Sequence, residues 1–337
     1  MISAGTLNGS EMETNENVSD STETTLPHWW LFAFQLSIAV VSVPLEMLIV
    51  VLVKMLVVRR PDLVLIVGFT VGNLLVSCGL IFSSIYRFRQ WEQFDPRATI
   101  TAGECFVKYL YCPIVRLGQN FLVINILLLA VDRLVAFTFT HRPRAFKRSC
   151  ILRLELLCAL LSTCDMFGMF IAVMHRSNEP VSPLCFLSQV LGSDYMDLLI
   201  AINVASGSLT IICYACTFIL WFRRRTQTIG KGTGITSLQF RRESTVMRSL
   251  IVVFILTLFM HFFPWTISPW TDYGSAMSIT IICLNLVSKP LSSIAYITIH
   301  PSLRRQLVIV ALRSKWIKNV KSWMLRRKTY IVYLGAK

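Results

Sequence analysis

Apolar residues along this chain fall into seven long blocks that are separated by short polar segments. A helix rises about 1.5 Å per residue, so about 20 apolar residues carry it across a hydrocarbon core of about 30 Å. Each block is long enough for one crossing. The pattern therefore predicts seven membrane-spanning helices, at roughly 29–58, 62–86, 106–139, 149–174, 194–222, 246–270 and 275–299.

Composition favours a membrane protein over a soluble protein with buried helices. Of the 337 residues, 54% are hydrophobic and 15% are charged, and the mean hydropathy is +0.61. Soluble domains carry about 25% charged residues, so too little polar surface is available here to cover a large soluble core. We expect an all-α membrane protein, with a seven-transmembrane-helix bundle over residues 29–300.

Basic residues are unevenly divided between the two ends of the predicted helices. Cytoplasmic loops of membrane proteins carry an excess of Lys and Arg. With the N-terminus outside, the inner segments hold 26 of the 33 basic residues and the outer segments hold five. We therefore predict a multi-pass plasma-membrane protein with an extracellular N-terminus and a cytoplasmic C-terminus. The net charge of +15 then favours anionic membrane lipids as partners, and not a nucleic acid.

The two ends of the chain lie outside the predicted bundle. Residues 1–28 contain five acids and no Lys or Arg, which predicts a disordered extracellular segment. Glycosylation sequons begin at Asn8 and Asn17 in this segment. Residues 301–337 repeat apolar positions at three- and four-residue spacing among many basic ones. That pattern predicts a basic cytoplasmic tail with a short amphipathic helix on the membrane interface.

Four short motifs occupy corresponding places in the predicted spans. They are Asp132-Arg133 at the inner end of the third, Asn73 in the second, Phe262-x-Pro264 in the sixth, and Pro290 with Tyr296 in the seventh. Together with seven spans and an outer N-terminus, these motifs resemble those of the rhodopsin-like G-protein-coupled receptors. Their divergence is similar to that of the large nematode chemoreceptor families.

The resemblance implies a receptor that binds an extracellular ligand and activates a heterotrimeric G protein. Asp132 and Arg133 would form the switch at the G-protein face, with the Arg leaving its ion pair when the receptor is activated. The family's disulfide between the third span and the second outer loop would join Cys105 to Cys185. Cys112 is the alternative partner for Cys185.

Four charged residues lie inside predicted spans, where each is a functional hypothesis because burial in lipid is costly. Arg116 either receives an anionic ligand or pairs with Asp165, and both readings stay open. Glu46 and Lys289 are predicted to form a buried ion pair, bridged or flanked by Asn73, in a polar network between the first, second and seventh spans. The alternative is that Lys289 reaches water in a cavity and Glu46 is protonated. The resemblance implies a ligand pocket, and the residues assigned to it are Arg116, Gln119, Asp165, Phe262 and Trp265.

A channel or transporter is the alternative function, suggested by the same intramembrane charges. Transporters commonly contain paired internal repeats, and none is visible between the two halves of this sequence. The five histidines are scattered and have no Ser, Cys or carboxylate placed to complete a catalytic triad. No Cys/His cluster offers a metal site. We therefore expect no enzyme activity, no cofactor and no metal.

Overall fold

The described part of the chain is almost entirely helical. The computed structural model describes residues 29–56, 61–91, 95, 98–138, 148–229, 251–252, 254–256, 258–267, 270 and 276–313. The predicted N-terminal segment, with Asn8 and Asn17, and the tail beyond residue 313 lie outside these residues. The elements, in order, are α1 (Trp29–Met55), α2 (Pro61–Trp91), β1 (Ile100–Thr101), α3 (Ala102–Lys108), α4 (Tyr111–Thr138), α5 (Arg148–His175), β2 (Pro180–Val181), α6 (Leu187–Leu191), α7 (Ser193–Ile229), a π-helix (Leu258–Phe262), α8 (Phe263–Ile267), α9 (Ala276–Ile299) and α10 (Pro301–Arg313).

Within the described residues, six helices are long and apolar enough to cross a membrane: α1, α2, α4, α5, α7 and α9. Large apolar side chains cover their outer faces. Phe82, Leu156, Phe167 and Ile171 are each about 60% exposed or more. Such a surface suits lipid and not water, which agrees with the predicted membrane bundle.

The region of the sixth predicted span is described in part, and it is helical at residues 251–252, 254–256 and 258–267. A single π-helical turn ends at Phe262, two residues before the buried Pro264. Proline lacks a backbone N–H and its ring collides with the preceding turn, so a helix must adjust its hydrogen bonding there. The Phe262-x-Pro264 motif therefore coincides with a local widening of this helix.

The third span begins later than its apolar block predicts, at Tyr111 and not at residue 106. The preceding residues form the separate helix α3, whose N-terminus is capped by the Thr101 hydroxyl accepting from the Glu104 N–H. Helix α3 ends where the Tyr109 N–H donates to the Cys105 carbonyl. Apolar content alone cannot reveal this break, because both helices are hydrophobic.

Helix α4 lies at the centre of the bundle and packs most extensively on α2 and α7. The contact with α2 depends on two glycines. A Cβ atom built on Gly118 would lie 2.8 Å from the Gly72 carbonyl oxygen and from the Val76 backbone nitrogen. Because these neighbours are backbone atoms and cannot turn aside, the two helices approach too closely for any side chain at this point.

Helix α10 confirms the amphipathic pattern predicted for the start of the tail. Leu303 is fully buried in a core cluster with Ile49, Leu52 and Tyr296, while Leu307 and Val310 pack against the same cluster. Arg304 and Arg305 are exposed on other faces. The helix therefore packs its apolar side on α1 and α9 and leaves its basic side free.

Candidate functional site

The loop between α5 and α7 is fastened across one end of the bundle, here called the disulfide end after its Cys105–Cys185 bridge. The Cα atoms of the bridged residues are 5.9 Å apart. Strand β2 of this loop pairs with β1, with Ile100 opposite Val181. Cys112, the alternative partner, is buried and has a free thiol. The structure thus contains the bridge that the resemblance implies.

Three side chains from the long helices also hold this loop by its backbone carbonyls. Tyr86 donates to the Pro183 oxygen at 2.7 Å, Tyr111 to the Cys185 oxygen at 2.8 Å, and Arg87 to the Leu184 oxygen at 3.2 Å.

Arg87 is also surrounded by aromatic rings. Its guanidinium carbon lies 4.9 Å from the centroid of Phe186, 5.6 Å from Phe32 and 5.7 Å from Tyr111. Cation–π contacts of this kind are stabilising. Sequence reasoning missed this arrangement. The signal available was a basic residue among aromatics near the end of the second apolar block.

Arg116 on α4 forms the ion pair with Asp165 on α5 that was one of its two predicted possibilities. Its Nε atom donates to Oδ2 of Asp165 at 3.0 Å, and the Arg116 side chain is 1% exposed. Asn120 donates to the same carboxylate oxygen, and Tyr195 on α7 donates to the other at 2.9 Å. The Asp165 carboxylate on α5 therefore receives hydrogen bonds from two other helices, α4 and α7. We call these residues, with Gln119, the Arg116 cluster.

Two polar atoms of the Arg116 cluster are buried without a hydrogen-bond partner in the described residues. They are Nη1 of Arg116, a donor, and Oε1 of Gln119, an acceptor. Residues three apart lie on the same face of a helix, so both groups belong to one side of α4.

Phe262 and Trp265, the other two residues assigned to the pocket, lie near Pro264. Phe262 packs against α7, where a Cβ atom on Gly207 would come within 2.7 Å of its ring. Trp265 is half-buried. Among the contacts described for these two aromatic residues, none reaches Arg116, Gln119 or Asp165. The structure brings Arg116 and Asp165 into contact, and no contact described for it joins Gln119, Phe262 or Trp265 to this pair.

Glu46 on α1, Asn73 on α2 and Lys289 on α9 are all buried. Glu46 and Lys289 lie close enough to interact electrostatically, but no direct contact between their charged groups is described, and the predicted ion pair, bridged or flanked by Asn73, stays a prediction. One Glu46 oxygen accepts a hydrogen bond of 3.3 Å from the Ser77 hydroxyl on α2. Apolar periodicity does not reveal this contact, because it does not indicate which face of α2 carries Ser77.

Asn73 lies one turn from Ser77 on α2 and Ser293 one turn from Lys289 on α9, and several polar atoms of these residues and of Glu46 have no hydrogen-bond partner in the described part of the chain. They are the second Glu46 oxygen, both amide atoms of Asn73 and the Ser293 hydroxyl. We call Glu46, Asn73, Ser77, Lys289 and Ser293 the Glu46 cluster.

Asp132 and Arg133 lie near the end of α4 opposite the disulfide, here called the Arg133 end. Their side chains pair at 3.8 Å from Nε to Oδ2 and are 12% and 19% exposed. Tyr214 on α7 lies within electrostatic range of both charges. Tyr296 on α9 lies within range of Arg133. The charged pair therefore lies near residues of two further helices.

Sequence reasoning missed Tyr214 and a fifth intramembrane charge, Glu155 on α5. Both Glu155 oxygens and Oδ1 of Asn125 are buried, and the Asn125 side chain lies beside the Glu155 carboxylate. The carboxylate lies so close to Gly68 on α2 that a Cβ atom there would collide with it. The available signal for Glu155 was its position inside the fourth predicted span, seven residues after the start of α5.

Comparison with known proteins identifies the family. A model described as "Serpentine type 7TM GPCR chemoreceptor Srsx" matches residues 43–322. None of the curated proteins matches the chain. The family match extends from α1 through the charged pair of α4 to the tail beyond α10, and therefore includes both buried clusters. The chain belongs to the Srsx family of serpentine seven-transmembrane chemoreceptors.

Proposed function

We propose that this chain binds an extracellular chemical ligand at the disulfide end and activates a heterotrimeric G protein at the Arg133 end. The observation that carries the proposal is the Asp132–Arg133 pair. Its separation of 3.8 Å is long for a charge-assisted hydrogen bond. The Nε–Oδ2 contact with Asp132 is therefore one that Arg133 can exchange for a contact with another acceptor.

Activation requires two states that are close in free energy. In the first state Arg133 is held by Asp132 beside Tyr214. In the second, Arg133 is released toward an acceptor on the G protein, and the aromatic cluster of Tyr214, Phe218 and Phe254 repacks. Tyr214 and Phe254 lie edge to face at 5.8 Å, and Phe218 and Phe254 at 6.0 Å. Packed aromatic contacts have discrete alternative arrangements, which suits a switch.

The proposed ligand site is the Arg116 cluster, with Phe262 and Trp265 nearby. A ligand that reaches α4, α5 and α7 together could change their relative positions and so alter the Arg133 end of the same helices. The extracellular side is proposed to be the disulfide end, with the exposed Arg304 and Arg305 of α10 facing anionic lipid on the cytoplasmic side.

The switch is tested by substitutions at the charged pair. We expect Arg133→Gln to abolish G-protein signalling while surface expression stays near the parent level, because the residue lies at the end of its helix. Asp132→Asn should raise basal signalling, since the neutral amide holds Arg133 more weakly. Arg153→Gln, which changes an exposed base on α5, is the matched control. If both switch variants signal like the parent and the control, the proposed coupling is wrong.

A channel or transporter is tested in the same cells by recording membrane current during ligand application. The receptor proposal requires a second-messenger response that is blocked by G-protein inhibition, with no current that survives this block. Loss of glycosylation in an Asn8→Gln, Asn17→Gln variant would support the proposed outer N-terminus. An unchanged electrophoretic mass would contradict glycosylation at these sites.

A further inference from the structure

The two unpartnered atoms of the Arg116 cluster specify the chemistry of a ligand. We infer that the Arg116 cluster binds a neutral amide-like group, in which a carbonyl acceptor lies next to an N–H donor. The inference rests on the proposed function, which makes this cluster the ligand site, and it names the class of ligand.

The charge of the cluster excludes most ionic ligands. Arg116 already has a carboxylate at 3.0 Å, so the pair is neutral as a unit. That carboxylate also accepts from Asn120 and Tyr195, which stabilises its charge. An anionic ligand would face Asp165 without a free countercharge, and a cationic ligand would face Arg116 in the same way. Of the two alternatives left open for Arg116, the ion pair with Asp165 is the one present, and the ligand that fits beside it is neutral.

The unpartnered atoms define which neutral ligand fits. Arg116 is 1% exposed and Nη1 offers a hydrogen without an acceptor, while Oε1 of Gln119 offers a lone pair without a donor. Buried polar groups are nearly always hydrogen-bonded. Because Arg116 and Gln119 lie one turn apart on the same face of α4, a complementary molecule accepts from Nη1 and donates to Oε1 within one small group. An amide group has both functions on neighbouring atoms.

The remaining partners of the cluster fix its geometry before a ligand arrives. Nε of Arg116 and both oxygens of Asp165 are engaged by residues of α4, α5 and α7. The guanidinium is planar and rigid, so the direction of Nη1 is set by the bond that Nε makes. A preorganised donor selects ligands by hydrogen bonding and discriminates strongly against analogues that cannot accept from it.

Three probes of nearly identical shape and different charge test the inference: acetamide, acetate and acetamidinium. The full-length receptor is purified in lipid nanodiscs, and its Tm is measured while each probe is titrated into the millimolar range. Acetamide should raise the Tm in a dose-dependent manner, because a ligand that binds the folded state stabilises it. Acetate and acetamidinium should leave the Tm unchanged.

Substitutions in the receptor show whether a rise in Tm with acetamide comes from binding at the Arg116 cluster. In Gln119→Leu, which removes the acceptor and keeps the size, the apparent acetamide affinity should fall about tenfold or more. Gln306→Leu is the matched control. Gln306 lies on α10 and donates to the Met55 carbonyl, so this variant should respond like the parent. In Asp165→Asn, which makes the cluster positive, acetate should become the stabilising probe. If Asp165→Asn does not fold, the comparison between the other two variants still decides.

Three results would overturn the inference. The first is a parent receptor that acetate or acetamidinium stabilises more than acetamide does. The second is a Gln119→Leu variant with the full acetamide response. The third is no response to any probe, which would mean that the two atoms are bridged by a resident water only. None of these measurements uses a G protein, so a receptor that binds acetamide but never signals would contradict the proposed coupling and leave the ligand class intact.

Discussion

The Arg116 cluster and the Glu46 cluster each bury an acid and a base from different helices, but the hydrogen bonds that compensate for burial of the acid differ between them. In the Arg116 cluster the carboxylate of Asp165 receives three donors, from Arg116, Asn120 and Tyr195. In the Glu46 cluster the carboxylate receives one, from Ser77, and Lys289 acts on it electrostatically.

The difference indicates which cluster is built to hold its geometry. Removing one partner of a tightly bonded buried pair leaves the other charge stranded, whereas a loosely bonded pair has less to lose. Among the described residues, the Glu46 cluster also has four polar atoms without partners where the Arg116 cluster has two, and a second arrangement of the side chains can form at such atoms without breaking a hydrogen bond. We therefore expect the Arg116 cluster to be the stiffer of the two, and the Glu46 cluster to tolerate change.

The largest expected effect is at the Arg116 pair, and it is asymmetric. Asp165→Asn leaves a guanidinium that is 1% exposed without its carboxylate, so we expect a loss of about 3–5 kcal/mol of unfolding free energy. Arg116→Met should cost less. It leaves a carboxylate that is 25% exposed and still accepts from Asn120 and Tyr195.

Thermal unfolding of purified receptor, with surface expression in parallel, measures both variants. Asp197→Asn on α7 is the control, because this acid is exposed. Equal losses for Asp165→Asn and Arg116→Met would show that donors from α4 and α7 contribute little to holding the carboxylate.

The positions of the helices followed from the sequence, but the partners of the buried charges did so only in part. Apolar length predicted six of the described helices, and most of the helix ends lie within a few residues of their predicted positions. Asp165 was matched with Arg116 because both charges lie at a similar depth. Its other donors, Asn120 and Tyr195, were not predicted, since depth does not give the rotation of a helix about its axis.

The same limit explains why the contact of Ser77 with Glu46 was not predicted. Two opposite charges at similar depth on neighbouring helices predict a contact. A neutral hydroxyl such as Ser77 carries no comparable signal, because serine occurs throughout these spans. Close packing was also invisible in the sequence. Gly72 and Gly118 matter because backbone atoms of the neighbouring helix lie directly beside them. Gly168, which also lies within a predicted span, has open space around it.

The second prediction concerns the contact that joins the two clusters. Gly72 precedes Asn73 of the Glu46 cluster, and Gly118 lies two residues after Arg116. In Gly118→Ala the new methyl would lie 2.8 Å from backbone atoms of α2, so the helices must separate. We expect a loss of about 1–3 kcal/mol, measured by thermal unfolding. Gly168→Ala should be neutral or slightly stabilising. If the two variants unfold alike, α2 and α4 are not packed as described.

The third prediction compares the coupling within each charged pair by double-mutant cycles. The Arg116→Met and Asp165→Asn cycle should give a coupling energy near the upper end of the range for contacting residues, about 2–3 kcal/mol. The Lys289→Met and Glu46→Gln cycle should give about 0.5–1 kcal/mol, because the two charges interact electrostatically and no direct contact between them is described. Unfolding of the single and double variants supplies both values. A larger coupling for the Glu46 pair would reverse the order of stiffness assigned to the two clusters.

The smallest effect is expected at a third acid–base pair, Arg176 with Glu179, which lies outside the spans at the disulfide end. The Nε atom of Arg176 donates to Oε1 of Glu179 at 2.8 Å, and its Nη2 atom donates to the other carboxylate oxygen. The Arg176 guanidinium lowers the pKa of the Glu179 carboxyl. A carboxyl with a lowered pKa in the folded state contributes stability above its unfolded pKa and loses it as the pH falls through the folded one. The contribution is therefore constant between about pH 6 and pH 8.

Water screens this exposed pair, so its two good bonds should contribute little compared with the three that hold Asp165. We expect Glu179→Gln to leave the Tm within the error of its measurement at neutral pH, and the parent and variant curves to stay parallel as the pH is lowered to about 6. A drop in Tm comparable to that of Arg116→Met would show that the loop at the disulfide end is held by this pair. It would mean that the Cys105–Cys185 bridge and the bonds from Tyr86, Arg87 and Tyr111 are not sufficient to hold it.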